Sequence, residues 1–318
     1  MGLIGFLFGA RNPYSQLAGL KVKDVMTKDV VTVQKEAPLT EAAHLMIGSK
    51  LSCLVVVDGQ KPVGILTERD FIKKMSMEKE TKKALHVADL MTKKVITTEC
   101  GTSLMDAQKL MKSNNFRKLI IAEKDALKGI LTQTDLCRAV ARLRAPIVNE
   151  PLVRDIMTKK VLTANPDDSF QRVKKLMAQK DMGSVVITKK DEPMGIFTEF
   201  DVVSEYYFNP NRLKNAYLKD IITSPILCIN ADYPVAEANK YMLEKNFRRL
   251  PILEDGKLIG IITQTDVARA LYAHIEKNKD ARQRNHIWYS PHKCNFIKKG
   301  NIMLCEIRPK KPTARPSQ

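Results

Sequence analysis

The sequence predicts an α/β fold made of four copies of one unit, each ordered strand, helix, strand, strand, helix. Two observations carry that prediction. Four similar openings, Asp24-Val25-Met26-Thr27, Asp89-Leu90-Met91-Thr92, Asp155-Ile156-Met157-Thr158 and Asp220-Ile221-Ile222-Thr223, have Asp residues 65, 66 and 65 positions apart. Each leads, 46 residues after its Asp, to the end of a Gly-apolar-apolar-Thr-x-x-Asp segment: Gly64 to Asp70, Gly129 to Asp135, Gly195 to Asp201, Gly260 to Asp266. A fixed period of this length means one supersecondary unit that borrows core from its neighbours.

Each element follows from local pattern. After the opening comes a β-branched run at 30–33, 95–98, 161–163 and 226–229, suited to a short strand. Pro38, Ser103, Ser169 and Pro234 then open a helix. Its apolar residues recur at helical spacing, as Leu39, Ala42, Ala43, Met46 or Phe170, Val173, Leu176, Met177. Met46, Met111, Met177 and Met242 hold one position in all four copies and read as core filling. Two strands joined by a tight turn come next, with Asp58-Gly59 and Asp255-Gly256 as the strongest hairpin signals. Thr-x-x-Asp opens the second helix.

The copies alternate. The first and third close with Thr-Glu-x-Asp, Thr67 to Asp70 and Thr198 to Asp201. The second and fourth close with Thr-Gln-Thr-Asp, Thr132 to Asp135 and Thr263 to Asp266. Asn115-Phe116-Arg117-Lys118-Leu119 and Asn246-Phe247-Arg248-Arg249-Leu250 recur in the second and fourth, where the first and third have Ser52-Cys53 and Gly183-Ser184. The duplicated unit was therefore a pair. A unit of ~60 residues is marginal alone, so the expected domains are an apolar arm at 1–16, a pair at 17–143 (repeats near 20–77 and 85–143), a pair at 148–274 (repeats near 151–207 and 216–274) and a basic tail at 275–318.

Composition narrows the classes. Of 318 residues, 44% are hydrophobic and 28% charged, a soluble globular mixture. Six cysteines without a CxxC or a secretory signal read as reduced thiols, hence a cytoplasmic protein. Met1 to Ala10 is apolar but shorter than the ~20 residues of a membrane span, and reads as an arm packed on the protein. The net charge of +18 favours acidic partners. From His274 onward, eleven Lys and Arg stand against three Asp and Glu.

The motif set, present four times over roughly 20–274, resembles the CBS domain family. That resemblance implies tandem pairs forming a compact disk with two clefts, which in many relatives bind AMP, ADP, ATP or S-adenosylmethionine. It implies ribose and phosphate contacts from Thr67, Asp70, Thr132, Asp135, Thr198, Asp201, Thr263 and Asp266. It also implies phosphate contacts from Arg117, Lys118, Arg248 and Arg249.

The chemistry suits these roles. A carboxylate accepts two hydroxyl donors at once, and a helix start offers free N–H groups to an anion. Thr-x-x-Asp is equally close to a helix capping box, and that reading stands beside the ligand reading. Guanidinium groups at a strand entry suit bidentate phosphate contact; Arg69, confined to the first repeat, reads as surface. Thr32, Thr97 and Thr163 align on the first strand beside the expected base pocket, and Cys228 replaces them in the fourth copy. Fewer than four occupied sites are expected, one or two per pair.

No Gly-rich phosphate loop and no Ser/His/Asp or Cys/His arrangement points to catalysis, and no cofactor is required. His286, His292, Cys294 and Cys305 match no zinc spacing. Trp288, Tyr289 and Phe296 lie among lysines, in a tail read as half folded onto the modules, with a disordered end from Arg308. The preferred reading is a non-catalytic sensor of an adenine nucleotide or S-adenosylmethionine. It acts on an unknown protein target or through a homodimer. Nucleic-acid binding through the tail, or a scaffold with vestigial sites, are the alternatives.

Overall fold

The computed structural model describes residues 12–75, 85–93, 95–143, 147–190, 192–279, 294–299 and 302–307. After α1 (Pro13–Ala18), the first repeat holds α2 (Val22–Val25), β1 (Thr32–Gln34), α3 (Leu39–Gly48), β2 (Cys53–Asp58), β3 (Lys61–Thr67) and α4 (Glu68–Lys74). The second holds α5 (Val87–Leu90), β4 (Thr97–Thr98), α6 (Leu104–Ser113), β5 (Lys118–Glu123), β6 (Ala126–Thr132) and α7 (Gln133–Ala141). The third holds α8 (Val153–Ile156), β7 (Thr163–Ala164), α9 (Phe170–Lys180), β8 (Ser184–Lys189), β9 (Glu192–Thr198) and α10 (Glu199–Phe208). The fourth holds a 3-10 turn (Leu218–Asp220), β10 (Ile226–Asn230), α11 (Val235–Glu244), β11 (Arg249–Glu254), β12 (Lys257–Thr263) and α12 (Gln264–Lys277). Two further strands, β13 (Cys294–Lys299) and β14 (Ile302–Ile307), lie in the tail. The strand-helix-strand-strand-helix order holds in all four copies, with a short helical turn added before each first strand.

In every repeat the first strand runs parallel to the second and the second antiparallel to the third. Pro38, Ser103, Ser169 and Pro234 are the N-caps of the long helices; the Ser103 hydroxyl accepts from Asp106 N at 3.1 Å. The first strands of repeats one to three begin two residues later than the β-branched runs suggest, because only from Thr32, Thr97 and Thr163 does the chain fall into register with its neighbour.

The pairing of repeats follows from two motif positions. The third residue of each opening, Met in the first three and Ile222 in the fourth, seats on the Gly of the other repeat in its pair. A Cβ at Gly129 would lie 2.6 Å from Met26 Sδ, at Gly64 2.8 Å from Met91 Sδ, and at Gly260 2.5 Å from Met157 Sδ; at Gly195 it would lie 2.9 Å from Ile222 Cδ1. A side chain there would have to displace the seated residue, and at Gly129 and Gly195 it would also meet the partner repeat's backbone carbonyl at 2.9 Å. The following Thr completes the exchange through bridges Thr27 to Ile130, Thr92 to Ile65, Thr158 to Ile261 and Thr223 to Ile196.

Four cores result. Val55, Val57, Ile120 and Ile130 pack sheet to sheet between repeats one and two. Val186, Ile226, Cys228, Leu253 and Ile261 do so between repeats three and four. The two larger cores cross between the pairs. One joins the helices of repeats one and three through Phe71, Phe170 and Val203, with Phe197 of β9 edge-on to Phe170. The other joins those of repeats two and four through Leu136, Cys137, Leu271 and Tyr272, with Leu17 of α1 sealed into it. Repeat one thus faces repeat three, and two faces four, so the centre of the molecule is a point where all four repeats meet.

The tail folds back in part. β14 adds in parallel to β10, and β13 adds antiparallel to β14, giving the sheet order β12-β11-β10-β14-β13. Met1 to Ala10, the join at 144–146, His286, Trp288, Tyr289, His292 and the chain from Arg308 lie outside the described residues, as do the side chains of Cys294, Phe296 and Cys305. Among the described residues no helix is long and apolar enough to cross a membrane.

Candidate functional site

The four Thr-x-x-Asp motifs form the capping boxes that their pattern suggests. One carboxylate oxygen, Oδ2, accepts both the backbone N–H and the hydroxyl of its Thr. The distances are 2.8 and 2.7 Å in the first and second repeats, 2.6 and 2.8 Å in the third, 2.9 and 2.7 Å in the fourth. Capping uses only Oδ2, so the other oxygen decides whether a ligand can be held. Asp70 Oδ1 already takes Lys74 Nζ at 2.7 Å and the Thr92 hydroxyl at 3.3 Å, and Asp135 Oδ1 takes Arg138 at 3.1 Å. Among the described residues nothing occupies Oδ1 of Asp201 or Asp266 in this way. Burial pushes the Asp201 carboxyl up to about 6, against the two Thr198 hydrogen bonds that favour its charge. It likewise raises Asp135.

The basic pairs converge at the point where the repeats meet. Arg248 of the fourth repeat makes a bidentate ion pair with Glu68 of the first, at 2.9 and 2.7 Å. Glu199 of the third repeat receives Arg69 Nε at 2.7 Å, with Arg117 at 3.6 Å and Arg249 at 3.8 Å. The Arg69 guanidinium also reaches Asp181 at 3.1 Å. Glu68 and Glu199 side chains are 3% exposed. Burial works to raise the Glu199 carboxyl, but Arg117, Arg249 and Arg69 outweigh it and hold it down at about 2. Burial brings the Arg249 guanidinium down to about 10 against the pull of Glu199, and it also lowers the Lys118 ammonium. Among the described residues no carboxylate lies within ion-pair distance of Lys118. Lys73 also pairs with Asp181, so Arg69, Lys73, Arg117, Lys118, Arg248 and Arg249 face Glu68, Glu199 and Asp181 with three positive charges in excess.

A cavity of about 340 Å³ opens on this cluster. Its wall includes Arg69, Arg117, Lys118, Arg248 and Arg249, with Thr263, Thr265 and Asp266 of the fourth repeat and Thr158, Val161 and Leu162 of the third. The site is composite: Asp266 and the segment Thr158 to Leu162 of repeat three line it together, beside the bridge between Thr158 and Ile261. Thr132 lines the wall; Thr67, Asp70, Asp135, Thr198 and Asp201 do not. Thr32, Thr97 and Thr163 are exposed, and Thr163 stands one residue beyond the lining. Among the described residues no group of three or more His, Cys, Asp or Glu is placed to hold a metal ion.

Several wall and cluster members carry no local signal as site residues. Arg69 looks like surface in the sequence, yet its side chain is only 25% exposed and bound to two acids. Glu68 and Glu199 were visible as the Glu in Thr-Glu-x-Asp, against Gln133 and Gln264 in the other copies. That alternation is the signal: Glu68 of repeat one pairs with Arg248 of repeat four, and Glu199 of repeat three receives Arg69 of repeat one together with Arg117 and Arg249 of repeats two and four. Gly183 belongs to the same arrangement, since a Cβ there would meet Arg249 NH1 at 3.0 Å and the Glu199 carboxylate at 3.1 Å. Arg269 lines the cavity and donates to Asn115 Oδ1 at 2.7 Å.

Comparison with known proteins agrees with the repeat architecture. The CBS domain model matches residues 22–77, 87–142, 153–207 and 218–273. The chain is 26% identical over 265 residues to the uncharacterized protein MJ1404 of Methanocaldococcus jannaschii, covering 78% of this chain and 61% of that protein. It is 37% identical over 130 residues to the uncharacterized protein MK0525 of Methanopyrus kandleri, covering 39% of this chain and 66% of that one. It therefore spans less than two thirds of the length of either relative. In three dimensions it is similar to the crystal structure of protein MJ1225 from Methanocaldococcus jannaschii. The TM-score is 0.71 at 20% identity, over 79% of this chain and 99% of that one. With four matched segments across most of its length, the chain belongs to the CBS domain family.

Proposed function

We propose that this chain is a non-catalytic regulatory protein that binds an adenine nucleotide in the cleft between its third and fourth repeats. The observation that carries the reading is the 340 Å³ cavity whose lining joins the Asp266 carboxylate to a cation-rich cluster. Its volume falls within the roughly 300–1,000 Å³ of small-molecule sites. Asp266 Oδ1, which has no hydrogen-bond partner among the described residues, would accept ribose hydroxyls while Oδ2 keeps the helix capped. Val161, Leu162 and Ile261 offer an apolar surface for a base. Lys118, with no carboxylate within ion-pair distance among the described residues, and Arg117 line the wall where a phosphate would lie.

The same arrangement suggests how binding is transmitted. Arg69, Glu68, Arg117, Glu199, Arg248 and Arg249 come from all four repeats, so a phosphate competing with Glu199 or Glu68 alters contacts between repeats. A ligand shifts an equilibrium only by its differential contacts with the two states, and these ion pairs supply them. A protein target, or a second copy of the chain, then reads the shift.

Calorimetry and thermal unfolding with AMP, ADP, ATP, S-adenosylmethionine and adenosine test the reading. A nucleotide at ~100 times its dissociation constant is expected to stabilise the fold by about 2.7 kcal/mol. A folded protein unmoved by every adenosine ligand would leave a scaffold with vestigial sites.

A further inference from the structure

The tail strands bear on a second cleft. By the repeat period, the counterpart of the Asp266 cavity is built from Asp201, Ile196 and the segment Thr223 to Leu227, joined through the bridge between Thr223 and Ile196. In repeat three the corresponding residues Val161 and Leu162 form open cavity wall, and Thr163 is exposed. In repeat four the same edge is taken. β14 pairs with β10 in parallel from Ile226–Ile302 to Ile229–Cys305. Ile302 and Leu304 pack on the inter-sheet core of Val186, Ile226, Cys228 and Ile261, in company with Ile196.

Two further observations fit this edge being built for closure. β10 has five residues, where the first strands of the other repeats have three, two and two. Cys228, which replaces the exposed Thr32, Thr97 and Thr163, is fully buried, and a small thiol suits a covered apolar position better than a hydroxyl. Asp201 meanwhile uses only Oδ2 for its cap, and among the described residues nothing hydrogen-bonds to its Oδ1. The family match ends at residue 273, so the strap is an addition to the four repeats.

We propose that β14 acts as an internal strap that fills the base pocket of the Asp201 cleft, so that repeats three and four expose one adenosine site and hold a second in reserve. This rests on the adenosine-binding reading above. The Asp266 cavity binds ligand in the resting protein, whereas the Asp201 cleft opens only when β14 leaves the edge of β10. Strand addition to a sheet edge is a common and reversible mode of recognition, and here donor and edge belong to one chain.

The test uses the full chain carrying Ile302→Asp and Leu304→Asp, which put two charges where the strap meets apolar core. The two large helical cores contain no strap residue, so the four repeats are expected to stay folded. Calorimetric titration with AMP is expected to show one more site per chain than in the native protein. Adding Asp201→Ala should remove that extra site, and adding Asp266→Ala should leave it. Unchanged stoichiometry in the folded variant would overturn the proposal. A second measurement needs no variant: millimolar AMP is expected to speed amide exchange in β14 of the native chain, and unchanged or slowed exchange there would also count against the strap. Absence of AMP binding to the native protein and to the variant alike is a different failure, that of the adenosine reading itself.

Discussion

Glu199 is the sharpest point at which to perturb the central cluster. Its side chain is 3% exposed and its carboxyl is held at about 2 by Arg117, Arg249 and Arg69, below the ordinary 4.5. A pKa unit corresponds to about 1.4 kcal/mol, so the depression is worth on the order of 3 kcal/mol. A depressed acid contributes stability that is present above its unfolded pKa and lost as pH falls through the folded one. Glu199→Gln is therefore expected to lose about 3 kcal/mol at pH 7. The native protein should weaken progressively between pH 4.5 and about 2, a dependence the variant should lack. Urea unfolding across that range measures both. The ligand side moves oppositely. At ~6 Å and an effective dielectric of ~20, a carboxylate repels one unit of phosphate charge by roughly 3 kcal/mol. Removing it should therefore tighten AMP by tenfold or more while leaving adenosine unchanged. Equal stability at pH 7, or AMP affinity that does not rise, would refute the view of Glu199 as an internal anion standing in for phosphate.

The remaining expectations are shorter. Asp266→Ala should weaken AMP and adenosine alike by roughly tenfold in calorimetry, since a charge-assisted hydrogen bond is worth about 1.5–3 kcal/mol. A lower melting temperature with unchanged affinity would reduce it to a helix cap. Arg248→Ala leaves Glu68 buried without its partner, at a cost of about 3–5 kcal/mol, and an unshifted melting temperature would contradict the bidentate pair. Asp201 is raised to about 6, so the folded state holds its proton above the ordinary carboxyl range and stability should fall as pH rises from about 4 to 6. Asp201→Asn should flatten that slope, and equal slopes would dismiss it. A fragment 17–143 should fold but self-associate, because it bares Phe71 and Leu136 of the cross-pair cores, and a monomeric fragment by sedimentation would disprove this. The full chain should not retard duplex DNA at near-physiological salt; steeply salt-dependent retardation would move the function to the basic tail.

What the sequence could reveal divides by distance along the chain. The caps at Ser103 and Ser169, the Asp255-Gly256 turn and the Thr-x-x-Asp boxes are decided within a few residues and were all legible. The exchange of Met and Gly between paired repeats left its two halves in plain sight, as recurrent motif positions. Only the fold shows that Met26 answers Gly129 rather than Gly64. The exchange of Cys228 for the Thr of the other three copies is visible in the sequence, but its reason is not: Cys228 is fully buried, whereas Thr32, Thr97 and Thr163 are exposed. The central ion pairs join residues 130 and 180 positions apart, Arg69 to Glu199 and Arg248 to Glu68, and no local pattern can specify such partners. Yet the alternation of Glu and Gln had already recorded them. An acid is tolerated beside the second helix of repeats one and three because a guanidinium from the opposite pair arrives there. In repeats two and four, where the basic pairs arise, Gln264 instead takes a neutral hydrogen bond from Thr134 at 2.6 Å. A buried carboxylate without a cation is costly, and so the position of each Glu in the sequence marks where an arginine must come from elsewhere.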